Sequence, residues 1–322
     1  MSAPLVDSAV EAMETYTGVE RGYRRAHPRG LVCTATFTAT PALRALTTAA
    51  HFQGAPVATQ VRLSNASGSP RAPDRVSPTV GKVLGLAVRF ALPSGGVASW
   101  AAANLPSFVA RTPEDFIRIT RAQKPALFGK PNPLKILAYL CSRPSAFAAV
   151  KALATMAPAT SFAHVRFNGI HTYVFVAPTG IRQPFRYAWI PVAAAESTRA
   201  PAPTSTSEPQ FLLAELRARL AAAPLSWRLQ LQFPAAGDVL DDATRAWPDN
   251  RRTLDAGMLT VSAVAPDQRA LEPLVFDPTG VVPGLELSAD PLLRFRADVY
   301  SESYNRRTHE PRAGAGPADM GQ

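Results

Sequence analysis

Proline is the residue that most limits what this chain can fold into. Each proline removes a backbone donor and fixes φ, so it ends helices and is confined to the edges of sheets. With 31 prolines in 322 residues, long unbroken elements are excluded over most of the chain, and irregular connections are expected between many short ones. A short helix is predicted over about 6–16, then a basic connector, and residues 41–51 read as helical. Residues 57–68 alternate as a strand ending in turn residues, and 85–90 form another. Residues 112–160 read as a run of helices interrupted at Pro125, Pro131, Pro133 and Pro144. Within them the Ala/Leu/Phe pattern of 145–157 reads as packing, or as an apolar entrance suited to organic hydroperoxides or a membrane surface. Strands return over 165–176 and 182–191, a helix over about 209–222, and 227–233 alternate as a half-buried strand. Residues 200–209 have the composition of an exposed linker.

Apolar residues make up 47% of the chain, enough for a sizeable buried core, yet no run of 18 apolar residues exists to cross a bilayer. The net charge of +10 suits an anionic partner. No Lys/Arg-rich run of the nucleic-acid-binding kind appears, and arginine is also the residue best suited to gripping carboxylates. Cys33 and Cys141 are the only cysteines, which excludes a disulfide framework and a cysteine metal cluster. The first residues lack a basic stretch followed by an apolar core, so a cytoplasmic location is expected.

The most informative chemistry lies near the end. Asp290 is a good N-cap and Pro291 suits the first helical position. Arg296, Tyr300 and Arg307 then fall at i, i+4 and i+11, on one face of a helix. A guanidinium one turn from a phenol favours the phenolate, a hard anionic oxygen suited to a ferric ion. The same residues also read as an ordinary surface helix.

The order Arg-x-x-x-Tyr-x-x-x-x-x-x-Arg resembles the proximal haem helix of the haem catalases, in which tyrosine is the axial ligand. Gly22-Tyr-Arg-Arg-Ala-His-Pro-Arg-Gly30 resembles the family's Arg-x-x-His-Ala-Lys-Gly, with Pro28-Arg29 in place of Ala-Lys. Val61-Arg-Leu-Ser64 resembles Val-Arg-Phe-Ser, and Gly85-Leu-Ala-Val-Arg-Phe90 resembles Gly-Phe-Ala-Val-Lys-Phe. Asn168-Gly-Ile-His-Thr-Tyr173 resembles Tyr-Gly-Ser-His-Thr-Phe, which makes His171 a structural or pocket-wall residue. Thr244-Arg-Ala-Trp-Pro248, Gly257-Met-Leu259 and Phe276-Asp-Pro278 continue the series in family order.

The resemblance implies an α+β fold, a closed antiparallel β-barrel of about eight strands with surrounding helices. Periodicity alone does not separate a barrel from a sandwich. The implied layout is a lead-in over 1–20, a haem-binding barrel domain over 20–308 and a loose tail over 309–322. The implied cofactor is haem b, its iron held by Tyr300 and the phenolate favoured by Arg296. The resemblance makes His27 the distal base, hydrogen-bonded by Ser64, and has Arg24, Arg62 and Arg307 grip the propionates. Phe116 falls where the family stacks an aromatic ring on the distal haem face. The family's distal asparagine aligns with Ala103, and Asn104 comes one residue late. Either Asn104 reaches in through a local shift or the distal amide is missing. The implied activity is a peroxidase acting on organic hydroperoxides or hydrogen peroxide with a small organic electron donor, and with weak or no catalase turnover. Rearrangement of a fatty-acid hydroperoxide, as by an allene oxide synthase, and a non-enzymatic haem or apolar-ligand carrier are the alternatives. Neither nucleic acid nor stable membrane insertion is expected, and a homodimer is left open.

Overall fold

The computed structural model describes residues 3–66, 69–74, 82–93, 95–124, 132–192 and 210–310. The expected linker at 200–209, the interruptions at Pro125 and Pro131, and residues 311–322 of the tail lie outside the described residues.

Strand β7 (Leu225–Gln232) shows why a sheet forms. Leu225, Trp227, Leu229 and Leu231 alternate inward and are buried, while the residues between them keep contact with solvent. The same period is visible in the second half of β1 (Arg29–Ala39), the start of β2 (Val57–Asn65) and the end of β3 (Leu84–Ala91), whereas β4 (Val97–Ala103), β5 (Phe167–Val176), β6 (Arg182–Pro191) and β8 (Thr253–Val264) include stretches buried on both faces. The strands pair antiparallel in the order β4-β3-β2-β1-β8-β7-β6-β5, and β4 meets β5 at Ala103 and Asn168. The sheet is therefore a closed antiparallel eight-stranded barrel, as the sequence implied, which removes all but short free edges. A three-residue strand, β9 (Leu285–Leu287), adds to β5.

An eight-stranded barrel is filled by its own side chains, here mostly aromatic. Trp100 stacks on Tyr187 with centroids 4.3 Å apart, and Phe175 on Phe185 at 3.9 Å. His51 is fully buried among these rings, 4.1 Å from Phe52 and 4.7 Å from Phe90. Neither of its ring nitrogens has a hydrogen-bond partner among the described residues, and burial pushes it down to about 3. An unfolded imidazole titrates near 6.5, so below that pH the unfolded chain takes up a proton that folded His51 refuses. Its contribution to stability is complete above about pH 6.5 and falls by about 1.4 kcal/mol per pH unit toward about pH 3. Thermal midpoints of wild type and His51→Phe, followed from neutral to acid pH, check this. The variant is expected to have the flatter profile whatever its packing cost; parallel profiles would refute the assignment.

Helices surround the barrel: α1 (Ala3–Thr17), α2 (Pro113–Ala122), α3 (Pro133–Ser142), α4 (Phe147–Thr155), α5 (Phe211–Ala222), a single turn α6 (Gln268–Leu271) and α7 (Pro291–His309). Helices α1, α2 and α7 share an apolar seam through Val6, Ala9, Ile117, Leu292 and Phe295. That seam fixes the long α7 relative to the barrel.

One local expectation changes, and β4, β8 and β9 are strands that the sequence pattern did not announce. Residues 41–51 are two 3₁₀ turns, Pro41–Ala45 and Ala50–Phe52, rather than a helix. The groups between them are engaged elsewhere. Thr47 Oγ1 donates to Gly284 O at 2.6 Å, and Thr48 N–H to Val176 O at 3.2 Å. Strand β4 had no strand expectation because Val97-Ala-Ser-Trp-Ala-Ala-Ala is rich in a residue depleted from strands. It is extended because it lies between β3 and the closing contact with β5.

Candidate active site

The loop between α1 and β1 carries Arg24 and His27. Buried Arg25 anchors it, donating to Glu14 on α1 and to Glu310 just after α7, each at 2.6 Å. His27 has φ 50°, the one positive value at a non-glycine residue among the described residues. Such a conformation persists where the surroundings over-determine it. Here Arg62 donates to the His27 carbonyl at 2.9 Å, and Ser64 Oγ lies 3.1 Å from Nδ1. Arg62 and Ser64 are two apart on β2 and both buried. Gly85 on β3 completes the cradle. A Cβ there would come within 2.9 Å of Ser64 Oγ and 3.0 Å of the imidazole, so only glycine lets the ring lie flat against the strand. Burial, assisted by the charges of Arg62 and Arg296, pushes His27 down to about 3, so its imidazole is neutral at physiological pH.

Helix α7 starts as its sequence dictates. Asp290 Oδ1 accepts from the N–H groups of Leu292 and Leu293 at 2.9 and 3.2 Å. Its other oxygen, Oδ2, lies 2.7 Å from Nδ1 of buried His171 on β5. One carboxylate thus sets both the helix start and the orientation of a ring in the pocket wall. Burial lowers the pKa of His171 despite Asp290, which favours neutral imidazole donating through Nδ1–H. The residue had a sequence signal; its partner Asp290 was legible only as a cap. One and a half turns on, Arg296 donates to Tyr300 Oη at 2.7 Å. Burial opposes the Arg296 charge, but the oxygens of Tyr300 and Tyr173 outweigh it and hold its pKa above the ordinary value.

Three guanidiniums gather at one end of the site. Arg24 donates to Glu272 Oε1 and, at 2.8 Å, to the carbonyls of Glu272 and Leu274. Arg307 donates to Pro273 O at 3.1 Å. Burial, then the charge of Arg24, lowers Arg62 to about 9 and Arg307 to about 10. Arg62 and Arg307 remain cationic at neutral pH, and at each of them the charge of Arg24 outweighs what Glu272 relieves.

These groups share one cavity of about 300 Å³, lined by Arg24, His27, Arg62, Ser64, Phe116, Arg296, Tyr300 and Arg307. Phe116 stacks on Phe108 with centroids 6.1 Å apart, a partner without a sequence signal. The rest of the wall is mainly apolar, with Ala101, Ala102, Ala103 and Val299 among larger side chains such as Leu105 and Phe276. Asn104 is a correction: it does not line the cavity. Its Oδ1 accepts from Leu84 N–H, and its Nδ2 donates to Lys82 O, each at 2.9 Å. These two bonds hold Asn104, the residue after β4, against the end of β3, while Ala101, Ala102 and Ala103 before it line the cavity. Asn168 does line the cavity, but its Nδ2 donates to Leu105 O at 3.1 Å and its Oδ1 accepts from Arg166 at 2.9 Å.

A closed antiparallel barrel packed by a helix that presents a tyrosine–arginine pair to the same cavity as a neutral histidine has the catalase fold. Its shape matches a bacterial catalase with a TM-score of 0.73 at 21% identity over 88% of this chain and 57% of that one. It matches a fungal catalase at 0.75 and 20% identity, over 88% and 59%. The chain thus spans less than two thirds of the length of those two proteins. In sequence, the profile of the Catalase family matches residues 8–313, and the chain belongs to that family. It is 33% identical over 316 residues to a catalase-related peroxidase of Mycolicibacterium paratuberculosis, covering 97% of each. It is 32% identical over 304 residues to one of Synechococcus elongatus, covering 94% of this chain and 88% of the relative.

Proposed function

We propose that this chain is a haem b-dependent peroxidase that reduces hydroperoxides, organic ones foremost, at the expense of a small organic electron donor. The observation that carries the reading is one cavity holding neutral His27 together with the Arg296–Tyr300 pair. Its near full-length relatives named catalase-related peroxidases support the reaction class.

The residues fit haem. A flat apolar ring system with two carboxylates suits a mainly apolar wall ending in three crowded guanidiniums, whose mutual repulsion an anion would relieve. Arg24, Arg62 and Arg307 would hold the propionates, and Tyr300 would supply the anionic oxygen ligand, its charge stabilised by the Arg296 donor. When bound, haem would supply a redox-active iron centre able to give two electrons to a hydroperoxide and to be re-reduced by the donor.

The chain's own contribution is proton handling and positioning. Ser64 O–H can donate to Gly85 O, 3.5 Å away, while its oxygen accepts Nδ1–H of His27 at 3.1 Å. That assigns the free lone pair to Nε2. His27 Nε2 takes the proton of the hydroperoxide and delivers it to the departing oxygen, so that water or an alcohol leaves. With Asn104 turned away, both donors of its amide are taken by Lys82 O and Met156 Sδ, so it does not grip a small peroxide, which weakens dismutation of hydrogen peroxide. The alanine wall accommodates an apolar substituent instead.

The test is a balance sheet with haem-loaded protein, cumene hydroperoxide or hydrogen peroxide, and a phenolic donor. Two one-electron donor oxidations are expected per organic hydroperoxide reduced, with oxygen release from hydrogen peroxide at least about tenfold slower. Hydroperoxide consumed without donor oxidation, or oxygen release as the faster reaction, would contradict the proposal.

A further inference from the structure

Helix α3 is apolar apart from Lys135 and Ser142, although only one side is packed. Tyr139 is buried against α2, its hydroxyl donating to Val109 O at 2.8 Å, with Ile136 and Leu140 beside it. The opposite face carries Leu134 and Leu137, 73% and 58% exposed, followed at helical spacing by Ala138 and Cys141. Phe147, at the start of α4, is another 58% exposed. A helix that is apolar nearly all round is ordinarily buried or lies against lipid.

The charged side chains on α3 and α4 themselves, Lys135 and Lys151, have one sign, although Glu114 on α2 shares a groove with Lys135 and Ala138. From Phe116 to Ala195 the sequence contains no aspartate or glutamate. Lys135 on α3 and Lys151 on α4 are exposed beside the apolar side chains. On α2, Asp115 is bound by Arg143, at 2.7 and 2.8 Å, and Glu114 lines the groove between α1, α2 and α3. Projecting leucine and phenylalanine side chains rimmed by lysines match an anionic bilayer surface in both respects: apolar insertion into the headgroup boundary and attraction to its charge.

We propose that the outer face of α3 and α4 docks on an anionic phospholipid bilayer, lying in the headgroup layer. No helix among the described residues is long and apolar enough to cross the membrane. The far end of α4 also adjoins the cavity: Met156, just after the helix, accepts from Asn104 Nδ2 at 3.3 Å, next to cavity-lining Ala103. The docked face and the site are therefore neighbours.

Co-sedimentation of the holoprotein with phosphatidylglycerol-containing and pure phosphatidylcholine vesicles tests this. Wild type is expected to pellet with the anionic vesicles and to be released by raised salt. Leu137→Gln/Phe147→Gln is expected to lower the partition coefficient about tenfold or more. Lys135→Gln/Lys151→Gln is expected to lower it about fivefold per charge removed. Turnover of a water-soluble hydroperoxide should be unchanged in both variants, which shows that they fold and separates this test from the peroxidase reading. Failure of wild type to pellet, equal binding to both vesicle types, or binding unaffected by the substitutions overturns the proposal. So does sedimentation velocity showing a dimer that Leu137→Gln/Phe147→Gln dissociates, since the face would then be covered by a second copy.

Discussion

Replacing His27 by alanine is expected to lower hydroperoxide turnover by about 10²–10⁴-fold, the usual contribution of one positioned acid–base group. The loss should fall on the chemical step, because Tyr300 and the three arginines that would hold the cofactor are untouched. Haem content per chain and the absorption spectrum should therefore match wild type. The pH profile offers an independent readout. Because folded His27 is pushed down to about 3, it stays a neutral base as pH falls from 7 to 5, and wild-type turnover should lack an inflection near 6.5. An ordinary exposed histidine would lose its base form across that range. Turnover of His27→Ala within about tenfold of wild type would show that another group carries the proton.

Tyr300→Phe is expected to have the second large effect, on the cofactor itself. The substitution removes the oxygen to which Arg296 donates at 2.7 Å and leaves a guanidinium in the cavity wall without that acceptor. In the haem-free protein this should cost about 1–3 kcal/mol, read as a lower unfolding midpoint, because a buried charged donor loses its partner. In the haem-loaded protein, iron should be lost on gel filtration and peroxide turnover should drop to background. A variant that keeps the wild-type spectrum and iron content would remove Tyr300 from the ligand role and with it the basis of the peroxidase reading.

The parts of this protein legible in the sequence are those governed by local rules. Helix α7 announces itself through an Asp290 cap, Pro291 at its first position and a spacing that puts Arg296, Tyr300 and Arg307 on one face. All three line the cavity. Strand β7 is legible because strict alternation admits one reading. Strand β4 is not, because alanine has no strand preference to display and pairing with β3, completed by the closing contact with β5, extends it. The helix expected over 41–51 fails for a related reason: Thr47 and Thr48 bond to Gly284 and Val176, partners remote in sequence.

The site divides along the same line. Residue types and their order by themselves determined that the chain contains a histidine loop, an arginine–serine strand and an arginine–tyrosine helix of catalase type. Tertiary structure decided what those pieces do together. Barrel closure through Ala103 and Asn168, and the apolar seam joining α1, α2 and α7, bring His27 and Tyr300 to one cavity. Two hydrogen bonds just after β4 held Asn104 to the backbone of residues 82 and 84, and left alanine where an amide could have stood. Asp290 became both a helix cap and the partner of His171. The physical reason is common to all of these: capping and periodicity act within a few residues, whereas which side chains share a buried volume depends on strand register and helix packing between distant parts of the chain.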